Sequence, residues 1–154
     1  MQTRLPLLLL ADGRQHDGRT LLALARGQGV FVLEEVAALA HWLQLGATPV
    51  LLLAHGALCV PALELLAADT RCRAALLLSP QGDALAARPL PFPALVACHR
   101  PDPRYPRLTQ AAGLATAWQA RLHLLSGSGE DASELSPLLT DLIRLASQPL
   151  AGEC

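Results

Sequence analysis

Short apolar runs alternate along the chain with segments whose apolar residues recur at helical spacing. Each run is five to seven residues long and is followed by a polar residue, Gly or Pro. Runs of this length with such boundaries are typical of buried β-strands. Six strands are therefore predicted, at Leu5–Ala11, Gly29–Leu33, Pro49–Ala54, Arg73–Ser79, Pro93–Cys98 and Arg121–Ser126.

Five segments between and after the strands carry helix signals. Glu34 and Glu35 stand in the predicted first turn of one segment, where carboxylates interact favourably with the helix dipole. Ser136 can cap the last segment, and Pro137 suits its first helical position. The predicted helices are Gly18–Arg26, Glu34–Leu45, Leu58–Ala68, Arg107–Gln119 and Ser136–Ser147.

The alternation of strands and helices predicts β-α-β units, whose strands are parallel. The strand runs are continuously apolar, as expected where helices cover both faces of a sheet. The predicted fold class is therefore α/β: a doubly wound, six-stranded and mainly parallel sheet with helices on both faces. We expect one domain over residues 1–147 and a loose tail over residues 148–154.

The composition narrows the possible function classes. Apolar residues make up 52% of the chain and charged residues 16%, which excludes an intrinsically disordered protein. The net charge is −1 and no basic cluster occurs, so no nucleic-acid partner is expected. With 36 leucines and 27 alanines in the chain, an individual Leu or Ala run discriminates only weakly between helix and strand.

The chain is predicted to be cytoplasmic. Its first apolar run, Leu5–Ala11, is followed by Asp12 rather than by a small-residue cleavage site. No apolar stretch approaches the ~20 residues of a membrane span, so no membrane association is expected. Cysteines inside apolar segments are predicted to be buried free thiols. No paired spacing links the four cysteines, Cys59, Cys72, Cys98 and Cys154.

A ligand site is expected at the carboxyl ends of the strands, where open parallel sheets bind their ligands. The segments that follow the predicted strands are polar and contain three of the five histidines. The candidate pocket is formed by Asp12, His16, His55, Gly56, Ser79, His99, Asp102 and Ser128.

The third strand and the segment after it carry the most informative motif. PVLLLAHGALC (residues 49–59) has a strand, a turn with Gly and a helix start, and it resembles the nucleophile elbow of α/β-hydrolases. PLPFPALVACHRPD (89–102) and LATAWQARLHLL (114–125) are similar to segments of the small single-domain serine hydrolases. That family includes the retinoblastoma-binding hydrolase and its bacterial relatives. The resemblance covers about Val32–Leu145 and implies the α/β-hydrolase fold.

The resemblance also implies an incomplete catalytic triad. Gly56 occupies the position of the family's nucleophilic Ser and has no oxygen that could attack a carbonyl. Ser128 lies in the segment where the family has its general-base His, and Asp102 alone matches the triad. Residues 12–17 replace the Gly-rich turn that helps to form the oxyanion site. The expected function is therefore the binding of a protein partner or a small ligand by an inactive homologue.

Two alternative functions remain open. An active esterase or metal-assisted hydrolase could use Ser79 or Cys59 as its nucleophile, or His99 with Asp102 as a dyad. The other alternative is a structural α/β module whose resemblance reflects ancestry only. No cofactor or metal is expected, since the Gly/Ser segment 126–131 lacks a phosphate-binding lysine and no ligand spacing demands a metal. A metal would have to use His16, Asp17, His55 and His99.

A partner surface is predicted around the start of the fourth helix. Arg104, Tyr105 and Arg107 have the composition of a binding hot spot, because Tyr and Arg are enriched in such sites. Tyr105 could equally act as a lid over the pocket. The chain is expected to be a monomer or a homodimer.

Overall fold

The part of the chain that the structure describes contains six strands and five α-helices, with a helix between successive strands at all but one place. The structure is a computed structural model, and it describes residues 7–11, 16–25, 30–45, 49–67, 71–83, 87–99, 107–125 and 135–146. The strands are β1 (Leu7–Leu10), β2 (Val30–Leu33), β3 (Val50–His55), β4 (Cys72–Leu78), β5 (Ala94–His99) and β6 (Arg121–Leu125). The helices are α1 (His16–Ala25), α2 (Val36–Gln44), α3 (Cys59–Ala67), α4 (Arg107–Trp118) and α5 (Leu135–Ala146).

The predicted strands and helices are all present, with corrections at their ends. Helix α1 begins at His16, so His16 and Asp17 lie in its first turn rather than in the loop after β1. Helix α2 begins after Glu35, which is its N-cap. Helix α5 begins at Leu135, so Ser136 lies inside the helix and is not its cap. These ends depend on where backbone hydrogen bonds start, which apolar spacing does not reveal.

All six strands are parallel, which confirms the predicted doubly wound sheet. Their order across the sheet is β2-β1-β3-β4-β5-β6. The connection from β1 to β2 therefore runs in the opposite direction to the connections that contain α2, α3 and α4. Because β-α-β connections are right-handed, α1 must lie on one face of the sheet and α2, α3 and α4 on the other.

Each face of the sheet has its own apolar core. One core joins α2, α3 and α4 to strand residues that include Leu52, Leu77 and Val96. The other core joins α1 and α5 to strand residues that include Leu53 and Leu76. Strand β3 is buried at all six of its positions, which explains why its sequence is continuously apolar rather than alternating. Helices cover both faces, as predicted.

Three further expectations concern the thiols, the membrane and the tail. Cys59, Cys72 and Cys98 are buried free thiols, as predicted. Within the described ranges, no helix combines the length and the apolarity needed to cross a bilayer. Residues 148–154, which were expected to form a loose tail, lie outside the described residues.

Leu52 tests how strongly the buried strands stabilise the fold. Its side chain is 0% exposed, whereas Leu45, at the end of α2, is 72% exposed. We expect Leu52→Ala to lower the free energy of unfolding by about 2–5 kcal/mol, because it leaves a cavity in a closely packed core. Leu45→Ala is the matched control and should change it by less than about 0.5 kcal/mol. Urea denaturation measures both, and equal losses would contradict the central place of β3.

Candidate functional site

The carboxyl ends of β3, β4 and β5 lie side by side at one edge of the sheet. His55, the last residue of β3, is in register with Leu78 at the end of β4. The N–H of Ser79, just after β4, donates to the Ala97 carbonyl of β5 at 2.7 Å. The strand order reverses between β1 and β3, and open α/β sheets have their ligand crevice at such a point. The fold therefore places His55, Gly56 and Ser79 at neighbouring strand ends.

Gly56 makes the turn between β3 and α3. His55 is extended, with φ −138° and ψ 156°, and the buried Gly56 then takes a left-handed φ of 56°. One 3-10 turn, Gly56–Leu58, leads into α3. Glycine adopts a left-handed φ readily, whereas a Cβ disfavours it. A strand, a left-handed residue and a helix start are the parts of a nucleophile elbow, in which the residue at the strained turn ordinarily carries the nucleophile.

Two backbone donors hold the carbonyl of Gly56. The N–H of Cys59 donates to it at the start of α3, and the N–H of Gln81, in the loop after β4, donates to it at 3.0 Å. Peptide bonds in the described residues are trans, so the N–H of Ala57 points away from that carbonyl. In α/β-hydrolases the N–H that follows the nucleophile helps to stabilise an oxyanion. The backbone at the elbow is thus oriented without any side chain at residue 56.

Ser79 is the second left-handed residue at this edge. Its φ is 46° and the residue is 1% exposed. A left-handed backbone costs a non-glycine residue about 1–2 kcal/mol, and strain of this kind clusters at functional sites. Gly56 and Ser79 directly follow the last registered pair of β3 and β4, His55 and Leu78, so they are neighbours across the strand ends.

The loop after β4 packs directly on α3. Gly82 lies so close to Val60 that a Cβ built on the glycine would collide with Val60 Cγ2. Val60 is β-branched and helical, and such side chains have one strongly preferred rotamer, so it cannot easily move aside. This close approach, together with the hydrogen bond from Gln81 to Gly56, holds the loop against the elbow.

The remaining pocket and surface candidates are described only in part. His55 is buried, and the alternation along β3 places its side chain on the face that α1 and α5 cover, with Leu53. His99 is the last residue of β5, so it belongs to the strand rather than to the loop predicted after it. The side chains of His16, His99 and Arg107, and the whole of Asp12, Asp102, Arg104, Tyr105 and Ser128, lie outside the described part of the molecule.

Cys59 and His123 lie within secondary-structure elements rather than in the turns at the strand ends. Cys59 is buried in the first turn of α3. His123 lies within β6, and its Nε2 is buried with no hydrogen-bond partner among the described residues. Over the same ranges, no three His, Cys, Asp or Glu side chains are grouped so that they could hold a metal ion.

Comparisons with solved structures identify the fold. A protein from Pectobacterium atrosepticum described as a YdeN-like hydrolase is 18% identical, with a TM-score of 0.65 over 93% of this chain and 91% of its own. An α/β hydrolase enzyme from a sediment metagenome of the Mar Chica lagoon is 13% identical, with a TM-score of 0.67 over 92% and 91%. The esterase domain of a Rhodothermus marinus protein is 14% identical, with a TM-score of 0.65 over 92% and 87%. The chain has the α/β-hydrolase fold.

The similarity to known proteins lies in structure rather than in sequence. No model of a known protein family matches the chain, and no curated protein is significantly similar to it. At identities below one fifth, the structural similarity establishes the fold and not the chemistry. The α/β-hydrolase fold implied by the sequence resemblance is confirmed.

Two residues that hold the elbow were not predicted from the sequence. They are Gln81, through its backbone N–H, and Gly82, through its contact with Val60. Pro80 followed by Gln and Gly is a turn signal. The signal indicates a turn after β4 but does not indicate which helix the turn contacts.

Gly82→Ala tests the contact between this loop and α3. We expect it to lower the free energy of unfolding by about 1–3 kcal/mol, because the added methyl group meets Val60 Cγ2. Val60→Ala removes Cγ2, the nearest atom, so adding Gly82→Ala to that variant should cost less. The backbone cost of a Cβ at the Gly82 φ of 157° is the same in both backgrounds and cancels in the comparison. A double-mutant cycle in urea measures the coupling, and strictly additive effects would contradict the contact.

Proposed function

We propose that this chain is a catalytically inactive homologue of the α/β-hydrolases that binds a ligand at the carboxyl ends of β3, β4 and β5. The observation that carries the proposal is Gly56, which has the left-handed backbone of an elbow and no side-chain oxygen. Covalent catalysis at an elbow needs a nucleophile at that residue. With glycine there, the edge keeps its shape but cannot form a covalent intermediate at this residue.

The family resemblance supports the same conclusion at the other triad positions. Asp102 matches the triad Asp, and Ser128 lies where the general-base His is expected. The triad Asp acts by orienting that His, so it has no catalytic partner without it. Loss of triad members lowers kcat by several orders of magnitude.

The elbow backbone indicates which small ligand the proposed site would accept. The N–H of Ala57 points away from the Gly56 carbonyl, which Cys59 and Gln81 hold in place. An N–H so placed can donate to a carbonyl or carboxylate oxygen. A glycine at residue 56 also leaves the volume of the missing side chain to the ligand. The proposed ligand is therefore a small acyl compound that is bound and not cleaved, and a protein partner is the alternative occupant.

The proposed location of the chain is the cytoplasm. Cys59, Cys72 and Cys98 are buried thiols in the core that α2, α3 and α4 cover, and none of the three forms a disulfide. Free thiols are the usual state of cysteine in a reducing compartment. A cytosolic fraction is therefore the source in which to seek the acyl ligand.

Reactivity with a fluorophosphonate probe tests the absence of a nucleophile. We expect the wild-type chain to remain unlabelled and to leave p-nitrophenyl esters intact, because Gly56 offers no oxygen. Gly56→Ser supplies an oxygen at the elbow, and combining it with Ser128→His supplies the expected general base. General-base assistance is worth about 100-fold or more, so the double variant should label that much faster than Gly56→Ser alone.

Gly56→Ala is the matched control for this experiment, since it introduces the same backbone strain without an oxygen. It should fold, as measured by circular dichroism, and remain unlabelled. Labelling of the wild-type chain would contradict the proposed function. A double variant that folds and still does not label would contradict the placement of Ser128 at the base position.

Ser79 favours a second candidate function, an active hydrolase with a displaced nucleophile. It is left-handed and almost fully buried, and it stands beside Gly56 at the next strand end. A strained serine directly after a parallel strand matches part of the nucleophile's arrangement in this fold, in which a helix follows the turn; Ser79 is followed by a loop instead. This candidate keeps the site at the same edge and moves the reacting oxygen by one strand.

Ser79→Gly separates the two candidate functions. If Ser79 is the nucleophile, the probe labels the wild-type chain at Ser79 and the variant loses the label. Glycine keeps the left-handed backbone, so the substitution removes the hydroxyl without disturbing the loop. Mass spectrometry of the labelled peptide locates the adduct, and an unlabelled wild-type chain excludes this candidate.

A further inference from the structure

The outer side of β6 is an open backbone edge in the part of the chain that the structure describes. Strand β6 stands at one end of the strand order and pairs there with β5 alone. Its five residues, Arg121–Leu125, are in unbroken register with β5. Edge strands are usually protected by Pro, bulges or several charges, because they pair readily with other strands. Strand β6 has no Pro and no bulge, and Arg121 is its one permanent charge.

Two leucines turn this edge into an apolar surface. Leu122 is 37% exposed and Leu124 is 54% exposed, and the alternation along a strand places both on the same face of the sheet. Their registered partners in β5, Val96 and Cys98, are buried in the core that α4 covers. The leucines therefore extend that core to the margin of the sheet, where they meet solvent.

We propose that this edge pairs with β6 of a second copy of the chain, antiparallel and centred on a two-fold axis at His123. Because the axis is perpendicular to the sheet, the same face of both copies points in the same direction. Centring on His123 then places Leu122 of one copy opposite Leu124 of the other. The four exposed leucines then form a single cluster on one face. Cross-strand apolar pairs of this kind are what stabilise antiparallel strands. The proposal is independent of the proposed function.

The register centred on His123 is the one that uses the whole strand. A shift of one residue would put the leucines of the two copies on opposite faces. A shift of two residues pairs three residues of β6 instead of five, and it separates one leucine of each copy from its apolar partner. In the centred register, every leucine of β6 lies opposite a residue of the other copy's β6.

The charges of β6 also permit this register. Arg121 of one copy lies opposite Leu125 of the other rather than opposite its own counterpart. The two arginines are then four residues apart along the strand direction, roughly 13 Å at ~3.3 Å per residue. That separation exceeds the screening length of about 8–10 Å at physiological salt. Like charges therefore do not oppose the pairing.

The other edge of the sheet fits a second copy less well. Strand β2, Val30–Leu33, has four residues, and its Val32 is exposed. A two-fold axis perpendicular to the sheet pairs residues that point to the same face, so the axis must pass through a residue rather than between two. A strand of four residues can therefore align at most three of them with its copy. Strand β2 therefore serves as the control edge.

Sedimentation velocity tests the dimer. The wild-type chain should sediment with twice the chain mass of 16.3 kDa. Leu124→Arg places two positive charges in the leucine cluster, so at the same concentration the mass should fall to that of one chain. Val32→Arg is the matched control on the β2 edge and should remain dimeric. Leu124 is more than half exposed, so this variant should fold, which circular dichroism verifies.

Disulfide formation tests the register. In a Cys154→Ser background, His123→Cys places two thiols across the axis, with their Cβ atoms about 4.5–5.5 Å apart. A disulfide needs about 3.5–4.5 Å, which a small adjustment of the two strands provides. Oxidation should yield a covalent dimer, and Val32→Cys in the same background should yield none.

Several outcomes would overturn the proposal. A wild-type chain that sediments as a monomer at every concentration overturns the dimer. A dimer that survives Leu124→Arg and is lost in Val32→Arg belongs to the β2 edge instead. If Leu124→Arg does not fold, the His123→Cys experiment tests the proposal in its place. A dimer in which His123→Cys forms no disulfide does not have the proposed register.

Discussion

Burial of the central strands on both faces is the constraint on which the rest of the structure depends. Every residue of β3 is buried, and in β4 only Arg73 is partly exposed. Such strands cannot face water on either side, so helices must cover both faces. Right-handed connections then place α1 on one face and α2, α3 and α4 on the other. The same arrangement gathers the carboxyl ends of β3, β4 and β5 at one edge, where the elbow lies.

The backbone of the elbow is held without any contribution from a side chain at residue 56. The Gly56 carbonyl is held by the backbone N–H groups of Cys59 and Gln81, and Gly82 packs against Val60. None of these contacts uses a side chain at residue 56. The backbone that presents a nucleophile in active hydrolases therefore keeps its shape with glycine in that position. This independence of the backbone from the reacting group is the physical basis for proposing a binding function.

The elements of the fold were predictable because their signals are local. The run PVLLLA predicts β3 as a buried strand, and the glycine that follows it marks the turn into α3. The start of α1 at His16 was missed, since an amphipathic pattern does not show where the backbone hydrogen bonds begin. The triad positions of Asp102 and Ser128 rest on the family resemblance alone, and both residues lie outside the described part of the chain.

Features of the site that involve distant residues could not be predicted in the same way. Ser79 precedes Pro80, and a residue before proline prefers an extended backbone, yet its φ is 46°. Its N–H donates to Ala97, which lies in another strand. The leucines of β6 look in sequence like those of β3, and only their place at the margin of the sheet leaves them exposed. Apolar periodicity thus specifies strands, helices and their order because it concerns neighbours along the chain. Strain, close contacts and exposure depend on which segments meet in space, so they arise only when the sheet is assembled.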